Sequence, residues 1–169
     1  VYLEADDLVS SKIDCRKIKV YVDGSHRPGE DVAGWAYLDV SDDGTVRYYS
    51  FGIVQGKKLS STDAELMAAT KALIYAISKG FRSLEICYDY DGIFSFATGR
   101  SKPSSSTSKL YVSVYNDAIK EGLQVIFTKV DKHDKMNRIV DKLARGDMYG
   151  LDALLDLPTD AMEDLIFKV

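Results

Sequence analysis

The sequence predicts an α/β chain: a five-stranded mixed sheet, its first three strands antiparallel, with helices packed on its faces. Three observations carry that prediction. Strand-like runs near 18–23, 33–40 and 45–54 come first, separated by turns rich in Gly, Asp and Pro. Two further strand-like runs, 83–89 and 123–130, then alternate with helical stretches. The apolar spacing also switches between a period of two and a helical period as the chain passes from one kind to the other.

The elements follow in order. A polar leader occupies 1–17. In "KIKVYVDGS", Ile18, Val20 and Val22 share one face of a strand, and Lys19 and Tyr21 the other. This run ends on Asp23, with Gly24 and Ser25 behind it, and the next two runs complete a meander. "TDAELMAATKALIYAISK" (62–79) sets Leu66, Ala69, Leu73 and Ile77 at helical spacing, and Gly80 supplies a stop. "SLEICYD" (83–89) is the fourth strand, followed by a short helix near 91–97 and a serine-rich loop, 102–108. A helix over about 107–121, a strand over 123–130 and a helix over about 135–145 close the main unit. The remainder, "LDALLDLPTDAMEDLIFKV", reads as two short amphipathic helices split by Pro158. The expected organisation is a leader (1–17), a catalytic domain (18–146) and a C-terminal helical extension (147–169) packed on that domain or docking a partner.

Composition narrows the class. A chain of 169 residues, 46% hydrophobic, suits one packed domain. It has no run of eighteen apolar residues and no signal-peptide pattern, so no membrane partner and an intracellular, cytoplasmic setting are expected. Cys15 and Cys87 form no ligand pattern, which fits reduced thiols. A net charge of −4 argues against a nucleic-acid partner. That objection weakens because the acids cluster at the two ends while Lys129, Lys132, Lys135, Arg138, Lys142 and Arg145 make one stretch basic. A monomer is the expected state.

Four carboxylates stand out. Asp23 closes the first strand, Asp89 closes the fourth, Glu65 lies in the first turn of the long helix and Asp141 lies on the last core helix. If strands one and four are neighbours, Asp23 and Asp89 sit side by side at one sheet edge. Four such acids suit two Mg²⁺ ions, which take carboxylate and water oxygens. Each also has a plain structural reading. Asp23 and Asp89 suit turns, Glu65 suits a capping box with Thr62, and Asp141 suits a surface pair with Arg145.

The stretches "YVDGS", "STDAELMAATKAL", "YDYDGIFSFATG" and "NRIVDKLAR", in that order, resemble ribonuclease H of type 1 across about 17–146, in the bacterial form without its hybrid-binding module. The resemblance implies a ribonuclease H-like fold in which Asp23, Glu65, Asp89 and Asp141 bind two Mg²⁺ ions, with Mn²⁺ as a substitute. The implied activity is hydrolysis of the RNA strand of an RNA–DNA hybrid, leaving a 5′-phosphate and a 3′-hydroxyl. It also implies that Gly24 and Ser25 let the nucleic-acid backbone approach, that Asn137 touches the RNA strand, and that Lys58, Ser60 and Thr107 meet a DNA-strand phosphate.

Two departures bear on that reading. The family's mobile histidine falls on Asp131, six residues before Asn137, and the nearest imidazole is His133, a candidate to take over proton transfer. Asp131 and Asp134 are alternatively outer-shell carboxylates near the second ion. The family's substrate-contacting Asn is Ser61 here, a shorter partner for a 2′-hydroxyl. The competing expectations are a catalytically weakened nucleic-acid-binding or scaffold domain of a larger protein, and a related nuclease acting on duplex RNA or DNA.

Overall fold

The computed structural model describes residues 17–146 and 164–168. Strands β1 (Lys17–His26), β2 (Val32–Val40) and β3 (Val46–Gln55) form the antiparallel meander. Helix α1 (Ser61–Ser78) leads to β4 (Ser83–Tyr88), which pairs in parallel with β1. Helices α2 (Gly92–Ala97) and α3 (Ser106–Lys120) precede β5 (Gln124–Lys129), parallel to β4, and α4 (Lys135–Ala144) follows. All five expected strands are present, in the order β5-β4-β1-β2-β3. A sixth, β6 (Asp164–Lys168), joins the outer edge of β3 in parallel.

Alternation along β1 divides the core between two faces. Val20 and Val22 pack with Trp35, Tyr37, Leu66, Leu73 and Tyr111 on the side of α1 and α3. Tyr21 points the other way, with Ala36, Leu38 and Cys87, under Ile139, Val140 and Leu143 of α4. The single tryptophan, Trp35, is fully buried, as expected of a core residue. A sheet faced by helices on both sides can bring acids from a strand end and from two opposed helices to one point.

Three expectations need correction. Asp23 does not end its strand: β1 continues to His26, with Asp23, Gly24 and Ser25 paired to Ala36, Trp35 and Gly34 of β2. The Asp-Gly turn is thereby excluded, because the ladder to β2 holds Gly24 in extended backbone. The N-cap of α1 is Ser60 and not Thr62, and its capping box uses Asp63, whose Oδ2 accepts from the Ser60 N–H at 2.9 Å. Glu65 is thus released from capping. Finally, 164–168 is a strand and not part of a second short helix, because its backbone finds the unpaired edge of β3. The leader up to residue 16 and the expected helix ahead of Pro158 lie outside the described residues.

Candidate active site

The site forms where β1 and β4 part. Their pairing ends at Tyr21 with Cys87, so Asp23 lies just past the ladder and Asp89 just past the end of β4. The expected adjacency of these two acids follows from that register. Glu65 arrives from α1, on the face opposite α4. Oxygens of Asp23, Glu65 and Asp89 lie within 4.8 Å of one another, so three acidic residues are positioned to bind a metal ion.

Gly24 sets the approach of α1. A Cβ there would lie 2.3 Å from the Glu65 nitrogen and 2.4 Å from the Ala64 carbonyl carbon, which leaves room for glycine alone. This space is filled by the helix, so Gly24 lets α1 pack directly on β1. Its N–H donates to both Asp23 Oδ1 (2.9 Å) and Glu65 Oε1 (3.0 Å). A matching contact stands on the other face: a Cβ on Gly34 would lie 1.9 Å from the Ala144 carbonyl oxygen, at the end of α4. One glycine per face, on paired strands, seats the helices that carry Glu65 and Asp141.

The electrostatics are those of a site short of cations. Asp23 is 4% exposed and Glu65 7%. Burial, then Glu65, Asp89 and Asp141, holds the Asp23 carboxyl far above the usual range. Glu65 is also raised, chiefly by burial, with the charges of Asp89 and Asp141 adding to it and hydrogen bonds from Asp23 and Gly24 opposing it. Glu65 Oε2 is buried without a hydrogen-bond partner. An unpartnered buried carboxylate oxygen among two other acids fits an oxygen-preferring divalent ion.

Asp141 faces the same place but stands outside this cluster. Its carboxylate is taken end to end by Arg145, with Nη2 to Oδ2 at 3.0 Å and Nε to Oδ1 at 3.3 Å. Asn137, expected to touch RNA, is 2% exposed, and its Nδ2 donates to Asp89 Oδ2 at 3.2 Å. In this conformation it faces an acid rather than solvent. His133 is exposed on the turn before α4, and the structure does not bring it to the acids; its backbone N–H donates to Asp131 Oδ1. Asp134 caps α4, accepting from the N–H groups of Met136 and Asn137, so both loop acids are committed to the turn and cap.

The other candidates lie beside the N-termini of α1 and α3. Lys58, Ser60 and Ser61 are exposed, and Lys58 holds a left-handed backbone, φ 63°. A groove of about 420 Å³ runs past Lys57, Lys58, Ser60, Thr62, Ser104 and Ser105. Thr107 is buried and donates to Asp63 Oδ1, tying the two helix starts together rather than offering a free donor. Ser25 is half-buried on β1, two residues beyond Asp23. Sequence reasoning missed Lys129, whose Nζ donates to the Asp89 carbonyl, and Gly34; both depend on contacts across the fold.

Comparisons with known proteins agree with this fold. No curated protein matches the sequence. Among solved structures, ribonuclease H1 of the halophilic archaeon Halobacterium salinarum is similar at 21% identity and a TM-score of 0.64, covering 83% of this chain and 99% of its own. The N-terminal ribonuclease H domain of a Mycobacterium tuberculosis protein gives the same identity and TM-score over 83% of this chain and 96% of its own. LC11 ribonuclease H1, solved with an RNA/DNA hybrid, is similar at 19% identity and a TM-score of 0.64, over 76% of this chain and 94% of its own. These likenesses show a ribonuclease H-like fold, and with the Reverse transcriptase-like family matching residues 21–146, the chain belongs to that family.

Proposed function

We propose that this protein is a metal-dependent endonuclease that hydrolyses the RNA strand of RNA–DNA hybrids. The observation that carries the reading is the buried convergence of Asp23, Glu65 and Asp89, with one backbone N–H shared between the first two acids. Asp23, Glu65 and Asp89 would hold a first Mg²⁺ ion, and Asp141 would help to hold a second, with Mn²⁺ able to replace Mg²⁺. Bound there, the ions would supply an activated water and charge stabilisation for the leaving oxygen of a phosphodiester. The products would carry 5′-phosphate and 3′-hydroxyl ends.

The chain's own groups account for the substrate. Ser25 and Ser61 lie beside the acids on β1 and α1, where hydroxyls can meet the RNA strand and its 2′-hydroxyl. Lys58 and Ser60 flank the groove at the helix starts, where an exposed ammonium and hydroxyl suit a phosphate of the DNA strand. The similarity to a ribonuclease H1 solved with a hybrid supports this choice of substrate. Catalysis is assigned to 18–146, acting as an intracellular monomer. No helix among the described residues is long and apolar enough to cross a membrane.

A second reading, a nucleic-acid-binding domain with weakened catalysis, is favoured by Asp131 in the place of a histidine and by the commitment of Asp141 to Arg145. Incubation of labelled RNA–DNA hybrid with Mg²⁺ or Mn²⁺, alongside duplex RNA and duplex DNA, separates the two. The expected result is cutting of the RNA strand of the hybrid alone, lost in Asp23→Asn. Hybrid binding without cutting in either metal would overturn the endonuclease in favour of the binding domain.

A further inference from the structure

We propose that Asn137 and Lys129 are positioning residues for Asp89, fixing its carboxylate for metal binding. The inference rests on the metal-site reading above. Asp89 needs such help more than its neighbours do. It lies beyond the last paired residue of β4, and it is half-buried where Asp23 and Glu65 are buried.

The grip comes from two directions. Asn137 Nδ2 donates to Asp89 Oδ2. The amide NH₂ faces the acid, where a carboxylate oxygen accepts from it and the amide oxygen could not donate. That oxygen, Oδ1, is left buried without a partner, so the Asp89 contact decides the orientation of the whole side chain. The backbone behind it is fixed, since Asp134 Oδ1 accepts from the Asn137 N–H at 3.0 Å, and Ile139 and Val140 anchor the same helix in the core.

Lys129 acts on the main chain. It stands opposite Tyr88 in the β4–β5 register, with its ammonium over the Tyr88 ring, 5.8 Å from the centroid. Its Nζ donates to the Asp89 carbonyl and to Asp91 Oδ1, closing the loop that leaves β4. The Val130 N–H donates to the Tyr88 carbonyl at 2.8 Å and keeps the two strand ends together. One stretch of chain, 129–137, therefore holds Asp89 by both its carboxylate and its backbone. Asp23 and Glu65, in comparison, share the Gly24 N–H and hydrogen-bond to each other. Groups that orient metal ligands from behind are worth about 10- to 100-fold in metal affinity.

The test uses the whole chain, with wild type, Asn137→Ala and Lys129→Met compared for melting temperature, Mg²⁺ affinity by titration calorimetry, Mn²⁺ affinity by electron paramagnetic resonance, and KM and kcat on hybrid at saturating metal. In Asn137→Ala the metal Kd should rise about tenfold or more, with hybrid KM unchanged. Lys129→Met should also weaken metal binding, although removal of a nearby cation by simple electrostatics would strengthen it. Unchanged metal Kd with a raised hybrid KM would make Asn137 a substrate contact and overturn the proposal. A lowered melting temperature with unchanged Kd and KM would overturn it as well. If Asn137→Ala does not fold, Lys129→Met, altered at an exposed residue, decides by the sign of its metal effect. A folded wild type that binds neither ion would overturn the metal-site reading itself, and this inference with it.

Discussion

The two helices that flank the first strand deliver their acids in opposite states. On the α1 side, Glu65 is buried, shares an N–H with Asp23 and keeps one oxygen without a partner. On the α4 side, Asp141 is half-exposed and satisfied by an arginine one turn away. The seats are alike, since each helix rests on a glycine of the sheet. The difference teaches that convergence alone does not make a carboxylate reactive toward a cation. Burial without a counter-charge does, because it leaves a charge that neither water nor a side chain compensates.

The comparison can be broken most severely at Asp23. Asp23→Asn should lower hydrolysis by more than about a hundredfold, as loss of a direct ligand must exceed loss of a supporting group. In the metal-free protein the same change should raise the melting temperature, because an amide relieves the repulsion among buried acids. A calorimetric melt in chelator, set beside the cleavage rate, checks both. A lower melting temperature would show that the acids stabilise one another.

Next come the glycine seats. Gly24→Ala places a methyl against backbone and should cost about 1–3 kcal/mol of stability, measured by urea unfolding. It should also weaken metal binding by displacing Glu65. Gly34→Ala should cost a similar amount but weaken metal binding less, since it pushes on α4, which reaches the inner three acids only through Asn137 and Asp89. Equal loss of metal affinity in both variants would erase the distinction between the two sides.

The pH dependence is a smaller effect with a definite sign. Asp23 and Glu65 both have folded-state pKa values above those of the unfolded chain. Between the unfolded and folded values the native state binds more protons, so its stability falls as pH rises through that range. Metal-free protein should therefore melt higher at pH 5 than at pH 8. Mg²⁺ should restore stability at pH 8, and Asp23→Asn should flatten the slope. Smallest of all, Arg145→Ala should change stability by less than about 1 kcal/mol, as an exposed helical pair does.

Much of this was legible in the sequence, and the parts that were not share a cause. Alternation in "KIKVYVD" and "SLEICYD" assigned the faces of two strands, and once those strands are neighbours Asp23 and Asp89 must meet. The helix start was ambiguous locally, because Ser60 with Asp63 and Thr62 with Glu65 have the same capping spacing. Tertiary contact chose between them: Glu65 faces Gly24 and cannot also cap. Asn137 reads as an RNA contact and Lys129 as one charge of a basic stretch until α4 and β5 are docked beside Asp89. Strand β6 is likewise a product of a distant partner, as its five residues have no local reason to prefer a strand over a helix turn.

That last strand has a consequence for how the protein is made. β6 is translated about a hundred residues after β3, and until then the outer edge of β3 carries unpaired N–H and C=O groups. An open edge of that kind is a template for pairing with another nascent chain. Residues 164–168 therefore shield a strand made much earlier: a ribosome that stalls before residue 164 leaves that edge of β3 open to a neighbouring chain.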